Sequence, residues 1–572
     1  MKRFTIKSQG GEQLVAYGGN LAISRDGSYI VYSSTPLNGR AHLYRRRMDR
    51  DQPDQVPGTE GATTPTLSPD GQWIAFKAQG KLLKVGAEGG TPITLCAAPS
   101  AGGAAWGSDG MIYFTDRETQ LFRVPEAGGK PQLVASIPHS AGQQGLRLPH
   151  ALPGGHAILL VTGGSLINPN DAAILAFDLA KGRPKELIRG GTAPHYVPTG
   201  HLLYVQGSRL LAVPFDLRRL EVTGPAAPIL EDVWQGPGGY AAYDISADGT
   251  LVFISGGEMF GNRELVWVDR TGKERPIIGA PKHWYIDVRL SPDGRRLAAT
   301  TIDPGSPHDI WVLAPDHPGF AVPITHAKSS EEHYGPVWTP DGKSLLYGQQ
   351  GPDGAQILRK AADGSGEEEV LYKDREDQAM LSPTQCSRDA KLLIFQRTGR
   401  AGPPRLWKLS LAGVHEAEPL FKHDLSFARA GGQISPDGQW IVYMSLESGT
   451  SEIYVAPYPG VETAKWRIST DGGDIARWSR DGRELYYLSG AGPAKLNAVD
   501  IHTSPTFEKG IPRLLVEGPY PHFMRTVDFD ADPGGQRFIL LKTEPSMEMP
   551  VEVHVVLNWT EELKARLHSV QK

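Results

Sequence analysis

The sequence predicts an all-β repeat protein, and two observations carry that prediction. A phrase made of an apolar residue and Ser-Pro-Asp-Gly, or a close relative of it, recurs along the chain of 572 residues. Each clear copy is followed by alternating apolar residues, and a period of two indicates a β-strand. The clearest copies lie at 67–71, 290–294, 338–342, 434–438 and 478–482.

The phrase has the composition of a tight turn between two strands. Proline presets φ at the second turn position, aspartate is tolerated at the third, and glycine adopts the left-handed conformation that closes the turn. We take the Asp of each copy, or its counterpart in a degenerate copy, as a turn anchor. The chain then has twelve anchors at spacings of 39 to 53 residues: Asp26, Asp70, Asp109, Gly154, Thr199, Asp248, Asp293, Asp341, Asp389, Asp437, Asp481 and Gly534.

The repeat length predicts the architecture. A third strand follows the hairpin, for example at 82–85, 121–124, 265–269 and 406–409, and a short fourth strand leads to the next repeat. Four antiparallel strands in roughly 45 residues have the size of one β-propeller blade. Propellers have about 4–8 blades, so twelve repeats predict two tandem six-bladed propellers of four-stranded antiparallel blades.

The predicted domains are a first propeller at 1–258 and a second at 259–572, divided by the Gly-rich stretch 255–262. Residues 4–7 have no preceding repeat and are expected to complete the outer strand of a closing blade. Residues 553–559 are predicted to be the third strand of the twelfth blade. A short C-terminal helix should follow, with Asn558 as its cap and Glu561 three residues later.

Several phrases resemble known repeat proteins. The run at 68–76, Ser-Pro-Asp-Gly and then a strand ending in Ile-Ala-Phe, resembles the TolB-like β-propeller repeats, bacterial relatives of the WD-repeat propellers. This resemblance covers almost the whole chain. Longer phrases resemble the C-terminal propeller region of certain bacterial serine/threonine protein kinases: 190–204, 210–216, 265–272, 478–487 and 555–563.

The kinase resemblance implies a sensor or protein-interaction region outside the membrane, in the periplasm or another extracytoplasmic space. The chain departs from the full arrangement of those proteins, in which a kinase domain and a membrane helix come first. It contains no His-Arg-Asp loop, no Asp-Phe-Gly and no Gly-rich nucleotide loop. Kinase activity is therefore not carried over.

The candidate ligand site lies where the inner strands of the second propeller are predicted to begin. The innermost strand of each blade lines a central channel, and ligands dock at channel mouths. Arginines and histidines that converge there could hold a small acidic ligand or the terminal carboxylate of a peptide. The alternative is a channel that is polar only because it holds water. The predicted ligand-binding residues are His283, Tyr285, His333, Tyr334, Arg429, Arg477 and Arg525.

An enzyme is the alternative function: a lyase or hydrolase with a His/Arg site at the mouth of the second channel, or with a metal held by His283, His333 and His522. Serine hydrolase chemistry needs a Gly-x-Ser-x-Gly elbow, which the sequence lacks. Trp106, Trp338 and Trp478 share one repeat position with Leu and Ile. They are therefore expected to pack between blades and not to bind carbohydrate.

The first hypothesis is a non-enzymatic binding or sensor module that recognises a protein, a peptide or a small ligand through propeller faces and channel mouths. No catalytic residue, cofactor or metal is assigned. The net charge of −5 offers no basic surplus for nucleic acid. No apolar stretch of about 18 residues is present, so this chain is not expected to insert into a membrane. Residues 1–8 lack the apolar region of a signal peptide.

Overall fold

The structure is a computed structural model of the chain. The residues that it describes are 2–7, 13–14, 21–35, 41–98, 102–116, 119–137, 145–164, 172–256, 263–278, 280–281, 283–302, 307–317, 319–328, 331–351, 353–374, 379–399, 403–423, 429–448, 450–490, 494–503, 506–520, 528–543 and 552–570.

The described strands form twelve antiparallel sheets, which confirms the all-β prediction. The chain divides into two compact units: unit 1 comprises Met1–Gly261 with Ser546–Lys572, and unit 2 comprises Asn262–Pro545. Each sheet contains one turn anchor, which lies between its first and its second strand, except in sheet one, where Asp26 lies between the second and the third. We number the sheets by their anchors along the chain, so that sheets one to six lie in unit 1 and sheets seven to twelve in unit 2.

The strands of unit 1 have the following bounds. Sheet one contains Gln13–Leu14, Leu21–Ile23, Tyr29–Thr35, His42–Arg47 and Asp54–Gln55. Sheet two contains Thr63–Leu67, Trp73–Ala78, Lys81–Gly86 and Ile93–Ala97, and sheet three contains Ala104–Trp106, Met111–Thr115, Gln120–Pro125 and Gln132–Ser136. Sheet four contains Arg147–Ala151, Ala157–Gly163, Ala172–Asp178 and Arg183–Arg189. Sheet five contains Thr192–Val197, His201–Gln206, Arg209–Asp216, Glu221–Val222 and Ala227–Leu230, and sheet six contains Tyr243–Ile245, Leu251–Ile254, Glu552–Leu557 and Lys2–Lys7. A short 3-10 turn spans Pro237–Gly239.

The strands of unit 2 follow the same plan. Sheet seven contains Trp284–Leu290, Leu297–Ile302, Asp309–Leu313 and Ala321–Pro323, and sheet eight contains Glu332–Trp338, Ser344–Gly351, Gly354–Ala361 and Glu369–Lys373. Sheet nine contains Met380–Cys386, Leu392–Thr398, Arg405–Ser410 and Ala417–Pro419, and sheet ten contains Arg429–Ile434, Trp440–Ser445, Glu452–Pro457 and Trp466–Arg467. Sheet eleven contains Ile475–Trp478, Glu484–Ser489, Ala494–His502, Glu508–Lys509 and Arg513–Gly518, and sheet twelve contains Phe529–Ala531, Arg537–Thr543, Arg263–Asp269 and Glu274–Pro276.

The recurring phrase is a hairpin turn, as predicted. In sheet seven the Ser291 hydroxyl donates to Asp293 Oδ1 at 2.5 Å, and the Arg295 amide donates to the same oxygen at 3.1 Å. Both bonds hold the pKa of Asp293 below its ordinary value. Gly294 has φ of 73°, in the left-handed region. The same hydroxyl-to-carboxylate bond is found at Ser24–Asp26, Ser68–Asp70, Ser246–Asp248, Thr339–Asp341, Ser387–Asp389, Ser435–Asp437 and Ser479–Asp481.

The prediction for the C-terminal strand was wrong. Glu552–Leu557 is the third strand of sheet six, where Val556 pairs with Leu251. The third strand of sheet twelve is Arg263–Asp269, which the sequence order would have placed after the hairpin of Asp248. Each unit is therefore completed by a strand that is remote in sequence from its hairpin, and residues 546–572, predicted for the second domain, belong to unit 1.

The N-terminal prediction is confirmed, since Lys2–Lys7 is the outer strand of sheet six and pairs with Glu552–Leu557. The predicted C-terminal helix is present as Trp559–Val570. Trp559 and Leu563 are buried in the hydrophobic cluster shared by sheets five and six. Within the described part of the chain, no helix combines the length and the apolar character that crossing a membrane requires.

Hydrophobic clusters join neighbouring sheets within unit 2 in a closed cycle. Clusters connect sheets seven to eight, eight to nine, nine to ten and ten to eleven. Phe529 of sheet twelve packs in one cluster with Tyr486 of sheet eleven. Ile539 of sheet twelve packs in another with Val288 of sheet seven, so the last sheet also contacts the first.

Unit 1 has the same arrangement. Hydrophobic clusters join sheets one to six in order. Sheets six and one are joined by the Ala247 amide, which donates to the Arg25 carbonyl at 2.9 Å. The packing prediction for the tryptophans is confirmed, because Trp106, Trp338 and Trp478 are all buried at sheet interfaces.

Candidate functional site

A cavity of about 600 Å³ lies in unit 2 at the end of the first strands, beside the anchor turns. Residues of all six sheets line it, and we call it the turn-side cavity. Its walls combine strand ends with turn residues, among them the prolines at Pro292, Pro340, Pro436 and Pro533. A cavity of this size falls within the range of sites for small ligands.

One repeat position supplies a wall residue from every sheet. It is the fourth residue before each turn anchor, and we call it the lining position. All six lining residues of unit 2 border the turn-side cavity, and in sheet order they are Arg289, Val337, Gln385, Gln433, Arg477 and Asp530.

Two of these side chains, Gln385 and Gln433, connect neighbouring first strands. Gln385 accepts from the Ile434 amide at 2.6 Å and donates to the Ile434 carbonyl at 3.0 Å. Gln433 accepts from the amide of Trp478 at 2.8 Å. These bonds join sheets nine to ten and ten to eleven, so part of the wall has a structural role.

Asp530 connects the last sheet of unit 2 to the first. Its Oδ2 accepts from the Leu290 amide at 2.9 Å and its Oδ1 from the Ala531 amide at 3.0 Å. Burial raises the pKa of this carboxyl to about 6, although Arg289 and the two amides act in the opposite direction. A carboxyl with this pKa can change its protonation near neutral pH.

Arg289 and Arg477 are the two cationic lining residues, and both are buried, with 7% and 2% of their surface exposed. Arg289 Nη2 donates to the Thr384 carbonyl at 3.3 Å, and Arg477 Nη1 donates to the Ala476 carbonyl at 2.8 Å. Arg477 Nε lies 4.0 Å from Asp530 Oδ1, beyond hydrogen-bond distance. Burial lowers the pKa of Arg289, while Asp530 and Asp287 oppose that shift.

The lining position of unit 1 has a different composition. A smaller cavity of about 240 Å³ is bordered by all six of its lining residues, which are Ala22, Thr66, Ala105, His150, His195 and Asp244. Asp244 accepts from the Ile23 amide at 2.9 Å, as Asp530 does from Leu290. The imidazole of His195 lies 3.4 Å from Asp244 and 4.7 Å, between ring centroids, from His150. Burial lowers the pKa of His150.

Of the predicted site residues, Arg477 lines the turn-side cavity. Arg525, and His522 of the metal alternative, lie outside the described residues. Arg429 is buried, with its guanidinium 4.7 Å from the centroid of the Phe421 ring and 3.8 Å from Glu447. It begins the first strand of sheet ten, at the end opposite to the anchor turn.

The predicted histidines and tyrosines have partners within their own part of the fold. His283 contacts the rings of Trp311 and Tyr285, with centroid distances of 5.1 and 6.0 Å. The Tyr285 hydroxyl donates to the Pro281 carbonyl at 2.5 Å. These three rings form a local cluster in sheet seven and its preceding loop.

His333 and Tyr334 are both almost completely buried in sheet eight. His333 Nδ1 lies 3.5 Å from an oxygen of Asp309, and its Nε2 lies 3.2 Å from the Gln349 amide. The Tyr334 hydroxyl accepts from the Leu381 amide at 3.3 Å, and burial raises the pKa of Tyr334. Among the described residues, His283, Tyr285, His333, Tyr334 and Arg429 therefore lie in local networks away from the lining of the turn-side cavity.

Sequence reasoning missed Arg289, Asp530, Gln385 and Gln433. The signal was available, since each stands four residues before an anchor, where most repeats in unit 2 have a polar residue. The prediction looked at the start of each inner strand instead of its end. In the described part of the chain, no group of three or more His, Cys, Asp or Glu side chains is arranged to hold a metal ion.

Fold and site together define an all-β repeat protein with a polar cavity in each unit. No family model matches the chain. An uncharacterized protein of Agrobacterium fabrum is 27% identical over 185 residues, which are 31% of this chain and 57% of the relative. The chain thus spans little more than half the length of that curated relative.

Several solved structures are similar to the chain, and they include the following three. A putative TolB from Agrobacterium tumefaciens has 16% identity and a TM-score of 0.36, covering 50% of this chain and 99% of its own. TolB from Acinetobacter baumannii has 13% identity and a TM-score of 0.32, with 71% and 81% covered. The tricorn protease has 12% identity and a TM-score of 0.29, with 90% and 54% covered. No residue role is carried from these proteins to the present chain.

Proposed function

We propose that the chain is a non-enzymatic binding module made of two six-bladed, TolB-like β-propellers. Six consecutive sheets in each unit, joined from the last back to the first, support this arrangement. A closed ring of blades leaves no long free sheet edge and gives a rigid platform for recognition. The resemblance to the propeller region of bacterial kinases favours a sensor that binds a protein, a peptide or a small ligand.

The observation that carries the proposal is the turn-side cavity of unit 2. Its volume of about 600 Å³ and its wall of side chains from six sheets suit a small ligand or the end of a peptide. Buried arginines in its wall offer polar recognition, and the surrounding turns offer backbone groups. Recognition at this position needs no change in the sheets themselves.

A peptide-library selection with a blocked-cavity variant tests the proposal. Pro436 lines the cavity and stands immediately before its anchor, a turn position that Arg388 and Arg480 occupy in other repeats. A Pro436→Trp substitution should therefore fold and obstruct the cavity. Pro69→Trp changes the same turn position in unit 1 and is the matched control, since Pro69 is not among the residues that border the smaller cavity.

We expect library peptides to bind the unchanged protein and Pro69→Trp, and to lose binding to Pro436→Trp while its thermal unfolding is retained. Equal binding to all three proteins would show that the peptides bind outside the turn-side cavity. Consumption of a selected ligand, seen by mass spectrometry and abolished by Pro436→Trp, would support the enzyme alternative and contradict a purely binding role.

A further inference from the structure

The two arginines of the turn-side cavity have N–H groups that the described residues do not satisfy. Arg477 Nε and Nη2, and Arg289 Nη1, are buried and have no hydrogen-bond acceptor among those residues. A buried donor without an acceptor costs roughly 1–3 kcal/mol, and more when it is charged. Such donors are therefore expected to meet an acceptor group when the protein works.

Asp530 is close to both arginines but does not satisfy them. Both of its oxygens accept backbone amides, and the nearer one lies 4.0 Å from Arg477 Nε. Its carboxyl therefore acts on the guanidinium groups mainly through its charge. The remaining N–H groups have no acceptor in the described wall, so their acceptors are water or a bound ligand.

Unit 1 provides a comparison within the same chain. Asp244 occupies the lining position of its last sheet and closes the unit by the same type of amide bond as Asp530. The lining residues on either side of Asp244 are His195 and Ala22, where unit 2 has Arg477 and Arg289. The closing bond therefore does not require arginines, and their presence in unit 2 needs another explanation.

We propose that the turn-side cavity of unit 2 binds a carboxylate group between Arg289 and Arg477, an inference that rests on the proposed binding function. The planar guanidinium presents paired donors that match the two oxygens of a carboxylate. The carboxylate belongs either to the C-terminus of a peptide or to a free organic acid. Each arginine donates to one backbone carbonyl, which leaves Arg289 Nη1 and Arg477 Nε and Nη2 as the donors for the ligand.

Thermal unfolding of the full chain with defined probes tests the inference. The probes are acetate, an N-acetylated alanine tetrapeptide with a free C-terminus, and the same peptide as an amide, all at one ionic strength set with chloride. A ligand that binds only the folded state raises Tm with its concentration. We expect acetate and the free-acid peptide to raise Tm and the amide to leave it unchanged. A response to acetate alone would identify a free acid as the source.

The variants separate this site from surface charge. Arg289→Gln with Arg477→Gln should weaken the apparent affinity at least about tenfold, because charge-assisted bonds are lost. Arg359→Gln is the matched control: Arg359 is an exposed arginine of sheet eight that pairs with Glu369 and is not among the residues that border the turn-side cavity. Its Tm response should match that of the unchanged protein. An unaltered response in the double variant, or an equal response to the amide, would overturn the inference.

A second measurement, made on the unchanged protein, tests the carboxylate site even if the double variant does not fold. The Nε–H signal of Arg477 in the unchanged protein, assigned through Arg477→Lys, should shift on addition of acetate, and shifts confined to exposed arginines would contradict the site. The binding function and the carboxylate site can also be refuted independently of each other. Peptides that Pro436→Trp excludes but that bind equally as acid and amide would leave the binding function standing and refute the carboxylate site.

Discussion

At the scale of single residues, the repeated phrase is a self-contained hydrogen-bonding unit. The Ser68 hydroxyl donates to Asp70 at 2.5 Å, and the same oxygen of Asp70 accepts the Gln72 amide at 3.0 Å. Every partner lies within a few residues of the others in sequence. Turn chemistry of this kind is therefore predictable from sequence, and all twelve anchors do lie between two strands.

The first prediction concerns the glycine of this turn. Gly438 has φ of 74°, and a Cβ atom placed there would meet nothing within 4 Å. A Gly438→Val substitution should therefore cost only backbone strain, about 1–2 kcal/mol of the free energy of unfolding. Urea unfolding measures this loss. Gly438→Asn is the control, since asparagine tolerates the left-handed region, and an equal loss in both variants would contradict the assignment to backbone strain.

The second prediction concerns the buried carboxyl of Asp530. Its pKa is about 6 in the folded protein against an ordinary value of 3.8. Between about pH 4 and 6 the folded state holds a proton that the unfolded state has released, so the free energy of unfolding falls as pH rises through this window. The fall amounts to about 3 kcal/mol by linkage.

Asp530→Asn should remove this pH dependence, and urea unfolding across the window measures it for both proteins. Arg289 and Arg477, the charged groups that act on Asp530, stay protonated throughout the window. Asp244, whose pKa is also raised by burial, is common to both proteins and cancels in the difference. Parallel pH profiles for the two proteins would show that Asp530 ionises normally.

At the scale of elements, the third strands of sheets six and twelve are where the structure differs most from the order of the sequence. Glu552–Leu557 completes sheet six, and Arg263–Asp269 completes sheet twelve. Both segments are rich in apolar residues, and most of those residues are buried. Local pattern therefore identifies each segment as a strand but does not select its partner.

The third prediction tests this exchange by truncation. A chain lacking Ser546–Lys572 loses the third strand of sheet six, so the amides of Leu251 and Phe253, which face that strand, should lose their protection from hydrogen exchange. The amides of Arg537–Thr543 in sheet twelve should keep theirs, because their partner strand Arg263–Asp269 remains. A chain that ends at Asn558 keeps the strand and is the control. Loss of protection in sheet twelve instead of sheet six would contradict the observed pairing.

At the scale of the whole molecule, the two units differ in how they use the chain. Unit 2 is one continuous segment, Asn262–Pro545, whereas unit 1 needs both Met1–Gly261 and Ser546–Lys572. Unit 2 contains all strands of its six sheets. Unit 1 receives its last strand only after unit 2 has been completed along the chain.

The fourth prediction follows from this difference. A protein of residues 262–545 should fold alone and unfold cooperatively on heating, because no sheet is left incomplete. Residues 1–261 should lack a cooperative transition until a separate peptide of residues 546–572 is added, which supplies the missing strand. Circular dichroism during heating measures both. Cooperative unfolding of 1–261 by itself would show that the C-terminal strand is dispensable.

The candidate site shows how residue type and position in the repeat differ as signals. Arg477 was predicted, but His283, Tyr285, His333, Tyr334 and Arg429 belong to separate local networks. Position in the repeat was the useful signal, because the fourth residue before each anchor reaches the cavity in every sheet. A prediction based on residue type alone selects polar groups that already have partners in the fold.

The sequence by itself determined the all-β class, the twelve hairpins and the C-terminal helix, because each depends on interactions between residues close in the chain. Only the tertiary structure decided which strand completes sheets six and twelve, since two equally apolar segments compete for each place. It also decided that Arg289, Arg477 and Asp530 border one cavity. Their proximity results from the packing of the last sheet of unit 2 against the first, which no local pattern specifies.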